Sequence, residues 1–482
     1  MDLAGRLPFG PRSAAPARGG RTSEAGMRRW TRGLGSTPAP EGRAERRAAA
    51  ATSATARPAA RAGADVLHRE RHQPDYSILL AVVALAAIGI LMVYSSSAMR
   101  AYIERDDTLA IVGPQIFWGA LGLLVMLAVM RIDYRWLRLL SVPGYAFALV
   151  LLVLVFVPSL NRVVGGSARW LVVGPLPAVH PAEIAKLALI VYLAHWMANK
   201  GKRIGGFFSG TVPFLLIAMP VIALVFKEPD LGTTVVIALA AFTMFFVAGA
   251  SLLQLGAMGG IGFVGVLFVG LRDYQIERIR TFLDPWADPL GTGFHTIQGL
   301  LALGLGGIFG QGLGESKLAG GLYLPNAWND FIFAIIGEEF GFIGAGLVIG
   351  LFVLLAYAGI RTALRAPDTF GALLAAGITA WLCFQAFVNI AVVVALLPVT
   401  GITLPFISAG GSSLLVSFAA AGVLLSISRE SLERRPAAVA AEEKGSGARR
   451  TDAAADRGRG NRGTHLPGPR RRDIDPPSSR HA

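Results

Sequence analysis

Between residues 77 and 428 the chain is a succession of apolar runs, each close to the ~20 residues with which a helix crosses a bilayer. The runs fall at 77–97, 114–131, 139–158, 181–198, 210–226, 231–249, 252–270, 330–358, 370–396 and 410–428. This pattern predicts an all-α integral membrane protein, a bundle of ten transmembrane helices with one long link, 271–329, between the seventh and eighth. A connection of that length is functional or disordered, and its Gly, Trp, Phe and Leu content argues for order. Within it, 296–310 is too short to span and is expected to lie at the interface or to dip in. No internal repeat is evident, which weighs against an inverted-repeat transporter.

Composition sharpens this picture. Hydrophobic residues make up 53% and charged residues 16%, against roughly 25% charged in soluble domains. The net charge of +14 sits mostly in the tails: residues 1–76 hold 14 Arg, and residues 429–482 hold 13 Lys plus Arg. A nucleic-acid partner is therefore not expected. Residues 1–74 and 431–482 lack apolar periodicity and are expected to be disordered, with Met27 as a possible later start. An even number of spans puts both tails on one side. Arg131, Arg135 and Arg138, then Lys200, Lys202 and Arg203, then Arg361 and Arg365 share that side, which the positive-inside rule makes the cytoplasm. The links 98–113, 159–180, 227–230, 271–329 and 397–409 then face outward. The single cysteine, Cys383, offers neither a disulfide nor a metal cluster.

Polar groups within apolar runs are costly in lipid and mark candidates for function. Glu183 and Lys186, three apart on the fourth helix, are either a local ion pair or part of a site. Arg169 suits a phosphate, whereas the neighbouring Trp170 could simply anchor at the headgroup level. Asp230 reads most simply as the cap of the sixth helix, leaving Lys227 and Glu228 as interfacial charges. In the long link, Asp284-Pro285 and Asp288-Pro289 follow Arg278 and Arg280, and each Asp-Pro also has an ordinary reading as a turn opener. Glu338 and Glu339 lie eight and nine residues beyond Asp330, ~12–14 Å down the eighth helix. Gln385 and Asn389 share a face of the ninth and could join helices by hydrogen bonds. The tenth helix opens with Gly410, Gly411 and Ser412, either a plain cap or a cradle of N–H groups for an anion.

At these residues the chain resembles the SEDS family (shape, elongation, division and sporulation), across about 75–430. The resemblance is carried by GSARWLVVG, PAEIAK, EPDLG, RTFLDPWADPLGTGFHTIQ, GQGLGESK with YLP, DFIFAIIGEEFGFIG and NIAVVVALLPVTGITLPFISAGGSS. GQGLGES with YLP is closer to the division branch than to the elongation branch. The resemblance implies a peptidoglycan glycosyltransferase that polymerises lipid II on the outer face of the inner membrane, at the division septum. It implies a class B penicillin-binding protein and other divisome membrane proteins as partners. It places the essential aspartate at Asp288 and matches Glu183 and Lys186 to the family's Pro-x-Glu-x-x-Lys pair; Arg169, Asp230, Arg278, Asp330, Glu338 and Glu339 also fall on motif positions. His180 stands where the family has Gln, the run 325–330 departs from Pro-Glu-Ala-His-Thr-Asp, and Ala409 replaces Tyr.

Such a polymerase needs a base for the acceptor hydroxyl, assigned to Asp288. It needs cations at the departing pyrophosphate, assigned to Arg169, Lys186 and Arg278 with the Gly410–Ser412 helix start behind them. No soluble cofactor is expected, although Asp288 could recruit a divalent cation, Mg or Mn. The rivals are a lipid II flippase or transporter using Glu338 and Glu339, and a scaffold without chemistry. A further expectation is that Lys186 approaches Asp288 and closes the long link over the fourth helix.

Overall fold

The computed structural model describes residues 67–69, 73–164, 167–172, 178–269, 273–324, 327–430 and 432–434. The two tails expected to be disordered lie almost wholly outside these residues. What is described belongs to one compact unit starting at Asp65.

A helix stands in each of the ten expected apolar runs. In chain order they are α1 (Tyr76–Arg105), α2 (Val112–Arg131), α3 (Trp136–Leu154), α4 (Pro181–Lys200), α5 (Val212–Lys227), α6 (Leu231–Val247) and α7 (Leu252–Val269). The long link holds α8 (Asp273–Leu283), α9 (Phe294–Gly306) and the single turn α10 (Lys317–Gly320). Then follow α11 (Ile332–Arg365), α12 (Thr369–Val393) and α13 (Gly411–Ser428). Among the described residues, seven helices are long and apolar enough to cross a membrane by length and composition: α1, α2, α3, α5 with its preceding turn, α11, α12 and α13. α4 carries Glu183 and Lys186 in its first turns, and α6, α8, α9 and α10 are shorter.

Local chemistry sets the ends. The Asp75 carboxylate accepts from Ser77 N at 3.0 Å to open α1. Pro181 starts α4, where its missing N–H would be unpaired in any case. Asp368 accepts from Gly371 N at 2.7 Å to open α12. Burial divides the helices: 67% of the apolar stretch of α12 and of α13 is enclosed, against 17% for α3. α12 is thus the axis on which α4, α6 and α11 pack, and α3 presents Leu139, Phe147 and Val150 outward, as lipid requires.

Two features differ from the expected loops. The link after α3 forms a hairpin of β2 (Asn161–Val164) and β3 (Ser167–Leu171), with Asn161 opposite Leu171 and a register irregularity at Arg162/Val163. Part of the cause is legible in the sequence: Val163 and Val164 lead into a Gly-Gly pair, a hairpin signal. At the face where α1 starts and α13 ends, β1 (Leu67–Arg69) pairs antiparallel with β4 (Leu432–Arg434).

On that same face Arg135 joins three elements. Its guanidinium lies 3.5 Å from Asp133, 3.2 Å from Asp368 and 3.1 Å from Glu430. It therefore ties the α2–α3 link to the start of α12 and the end of α13. Replacing it leaves three carboxylates to repel one another, the Glu430 side chain being only 9% exposed. Arg135→Ala should lower stability by about 1–3 kcal/mol, read as a drop in thermal midpoint in detergent. An unchanged midpoint would show that the network is screened.

Candidate active site

The face opposite Arg135 carries the long link and nearly all the candidate residues. Its innermost element is Lys186, 2% exposed. Its ammonium lies 2.8 Å from Glu183 as an ion pair, while its aligned hydrogen bond runs 2.7 Å to Gln385 Oε1. The ring of Trp381 sits 5.1 Å below, and Trp381 Nε1 donates to the same Gln385 oxygen at 2.8 Å. Gln385 then donates to Thr403 O at 3.0 Å. The helical spacing of Glu183 and Lys186 makes the first contact; the others reach across to α12 and to the 397–409 link.

Around this centre the remaining links are fastened by backbone carbonyls. Arg169, from β3, donates to Glu228 O at 3.3 Å and to Pro229 O. Arg278, from α8, donates to Val399 O at 3.0 Å. Asn389 donates to Asp330 O at 2.8 Å and to Ile402 O at 2.7 Å. Asp230 caps α6 through Thr233 N at 3.1 Å and Thr233 Oγ1 at 2.9 Å. His180 Nε2 lies 3.7 Å from Asp230 Oδ2, and His180 N donates to Ser412 Oγ at 3.3 Å. The Gly410–Ser412 helix start is thereby bound to α4, and Gly410 N donates to Gln115 Oε1 of α2 at 3.3 Å. Gln115 and His180 were not among the expected site residues. Gln115 could have been noticed as a polar side chain within the apolar run of α2; His180 stood out only as a departure from the family motif.

The electrostatics follow from burial. Glu228 is 1% exposed and both its carboxyl oxygens lack a hydrogen-bond partner. Burial pushes its pKa up to about 9, with Asp230 adding and Arg169 opposing. It is therefore a neutral acid at pH 7. Burial also pushes Asp330 up to about 6, against the pull of Arg169 and Arg278 and with a smaller push from Asp230. His180 is held below its ordinary value by burial, partly offset by Asp230 and Glu183.

Asp288 has a different setting. It follows a short 3-10 turn, Pro285–Ala287, that Asp284 opens by accepting from Trp286 N at 3.1 Å. The Asp288 carboxylate accepts from Gly291 N at 3.1 Å and Thr292 N at 2.9 Å, and its carbonyl accepts from Gly293 N at 3.0 Å. The residue is exposed. Both aspartates thus do the turn-forming work expected of Asp-Pro and both are exposed, and only family position favours the second. The expected ion pair between Lys186 and Asp288 is not formed. Lys186 is satisfied within the bundle by Glu183, Gln385 and Trp381, and Asp288 within its own turn. Glu338 and Glu339 join neither group; they hold Ser316 and Ser95. Among the described residues no group of three or more His, Cys, Asp or Glu could hold a metal ion.

The class is that of a many-helix membrane protein with a buried charged centre and a long, ordered link that carries an exposed carboxylate. Residues 76–433 match the FtsW/RodA/SpoVE family of cell cycle proteins, and the chain belongs to that family. It is 43% identical over 369 residues to stage V sporulation protein E of Bacillus subtilis, covering 75% of this chain and 99% of that one. It is 41% identical over 357 residues to the probable peptidoglycan glycosyltransferase FtsW of Trichlorobacter lovleyi, covering 73% and 93%. Among solved structures it resembles a chain from a peptidoglycan synthase complex described for its coordination of polymerization and crosslinking. That match has a TM-score of 0.60 and 31% identity over 74% of this chain and 98% of that one. The rod shape determining protein RodA of Thermus thermophilus gives a TM-score of 0.55 at 28% identity, covering 74% and 97%.

Two outcomes test this description. Lys186→Met leaves the Glu183 carboxylate buried without its counter-charge and should cost about 3–5 kcal/mol. Adding Glu183→Gln to it should recover much of that loss, which thermal midpoints of the single and double variants measure. The Glu228 acid has a folded pKa above its unfolded one. Its stability contribution is therefore whole below pH ~4.5 and is lost as pH rises toward 9. Glu228→Gln should remove that loss, gaining on the order of 3 kcal/mol at pH 7 and more at pH 8. Parallel pH–midpoint curves for the two proteins would show that Glu228 is not held neutral.

Proposed function

We propose that the chain is the peptidoglycan glycosyltransferase of a division complex, polymerising lipid II on the outer face of the cytoplasmic membrane with Asp288 as its base. It then crosses the membrane ten times, with both termini and the Arg135 network in the cytoplasm and the long link outside. The observation that carries the reading is a contrast in exposure. Glu183, Asp230 and Glu338 are enclosed and committed to internal partners, whereas the Asp288 carboxylate faces outward on a fixed turn. Asp284 is exposed in the same link, and position before Pro-Leu-Gly in the family motif selects Asp288 between the two. Relatives named as peptidoglycan glycosyltransferases and a neighbour from a peptidoglycan synthase complex support the substrate class. The same neighbour supports a partnership with a class B penicillin-binding protein.

The chemistry is a substitution at the donor sugar. The acceptor hydroxyl gives its proton to Asp288 as its oxygen attacks the anomeric carbon, and the bond to the pyrophosphate breaks with its electron pair. Arg169 and Arg278 supply positive charge near the departing group, while the first turn of α13 offers the N–H groups of a helix start. Lys186 acts from behind this wall, keeping α4 and α12 in register. Were a divalent cation recruited, Asp288 would be the residue to hold it, and the ion would supply positive charge to the departing pyrophosphate.

Purified protein given labelled lipid II decides the matter. Asp288→Ala should lose ~10²–10⁴-fold in polymerisation rate while keeping its thermal midpoint. Asp284→Ala, which removes only a turn contact, should stay within ~3-fold of wild type. A folded Asp288→Ala protein with full activity would sink the assignment, and lipid II translocation without polymerisation would favour the transporter reading.

A further inference from the structure

The second half of the long link is threaded into a break in α11. Gly341 (φ 65, ψ −160) is not helical, so the helix loses its own hydrogen bonds at that point. Those bonds are remade by residues 307–312. Gln311 N donates to Glu338 O at 2.9 Å and Gly312 N to Glu339 O at 3.0 Å, while Phe342 N donates to Gly307 O at 2.9 Å and Ile343 N to Ile308 O at 3.3 Å. The approach is so close that a Cβ on Gly310 (φ 85) would collide with the Glu339 carbonyl, and one on Gly341 with Gly310 N. Backbone groups that would otherwise be orphaned in lipid are thus paired by an inserted segment.

One side chain closes this joint. Glu338, 0% exposed, accepts from Ser316 Oγ at 2.6 Å, from Lys317 N at 2.8 Å and from Leu318 N at 3.3 Å. Ser316 Oγ in turn accepts from Ala319 N at 3.0 Å. The neighbouring Glu339 accepts from Ser95 Oγ of α1 at 2.5 Å, so the joint is also tied to a second helix. From the joint, α9 runs back to the Asp288 turn. Its 13 residues make a rod of ~20 Å. Gly306, at one end, abuts Gly337 O; at the other, Gly293 N donates to Asp288 O. Along the rod Ile297, Gly299 and Ala302 are buried, with Gly299 against Phe331.

We propose that Glu338 is a positioning residue for Asp288, acting at a distance by locking residues 306–319 into the break of α11 and so fixing the far end of α9. This rests on the reading of Asp288 as the base. The geometry makes Asp288 the tip of a lever whose anchor lies inside the membrane bundle. A displacement of about 1 Å at the reacting atoms can cost ~10²-fold in rate, so a loosened anchor is felt as rate and not as substrate affinity.

The experiment compares full-length Glu338→Ala and Glu338→Gln with wild type by lipid II polymerisation and by amide exchange. A glutamine can accept from both backbone N–H groups and donate to Ser316, so it should restore what alanine loses. Glu338→Ala is expected to lower kcat ~10-fold or more with KM within ~2-fold. Amides of 294–316 should exchange ~10-fold faster or more, those of α4 and α12 remaining as in wild type. Glu338→Gln should return both readouts to within ~3-fold of wild type. Wild-type exchange over 294–316 in Glu338→Ala would overturn the proposal, as would faster exchange there with an unchanged rate. If Glu338→Ala fails to fold, Ser316→Ala removes one of the three bonds from the link side. It should show the same two changes in smaller measure, and wild-type behaviour on both counts would overturn the idea. Asp288→Ala separates the two readings. Full activity in that variant defeats the assignment of the base, whereas the exchange result for Glu338→Ala still reports on the joint.

Discussion

A lysine ammonium shut away from water between three helices exists only where its charge is matched and its protons are placed. Lys186 meets both conditions through Glu183, Gln385 and the face of Trp381. Much else depends on this one arrangement. Glu183 and Lys186 belong to α4, Gln385 and Trp381 to α12, and Gln385 passes the connection on to Thr403 in the link before α13. Apolar packing between lipid-facing helices supplies little orientation, since lipid is as apolar as leucine. A directional polar contact at the buried end of α4 sets where that helix begins relative to α12, and with it the placement of His180, Asp230 and Ser412.

The same logic explains why so many charged residues near this face are not available to a ligand in the simple sense. Arg169 and Arg278 each hold a backbone carbonyl of another link, and Asp230 is spent on the cap of α6. Glu228 lies beyond reach of any hydrogen-bond partner and is kept neutral by its surroundings. What results is a floor that holds two arginines and the starts of α4, α6 and α13, in which Glu228 adds no negative charge at pH 7 and Asp230 faces its own helix start. A floor of that kind suits an anionic leaving group, and it does so without requiring any one cation to stand free.

What the sequence made legible and what it did not divide along one line. Relations within an element could be read: the apolar runs that became helices, the Asp230 cap, the three-residue spacing of Glu183 and Lys186. Relations between elements could not. Lys186 and Gln385 are 199 positions apart, and nothing in either local pattern names the other. The expected contact between Lys186 and Asp288 is absent for this reason: beside Glu183, the second partner of Lys186 is Gln385 on α12. The break in α11 was equally hidden. Glu338 and Glu339 mark the spot as polar but do not signal a break, and only the approach of residues 307–312 shows why Gly341 takes a positive φ.

The division of labour between the two halves of the long link follows from these contacts. Asp288 stands in a turn closed by its own carboxylate, so its geometry is self-contained over residues 288–293. Such a turn is rigid locally but says nothing of where it points. Direction comes from α9, and α9 is held by the bundle: by Phe331 near its middle and by the joint with α11 at its end. A loop held only by its own turns would let the carboxylate wander on the timescale of loop motion. Anchoring the link in the break of α11 replaces that freedom with the stiffness of the helices, because moving Asp288 then requires breaking the backbone hydrogen bonds of that joint. The position of an exposed carboxylate is in this way fixed by carboxylates that never meet solvent.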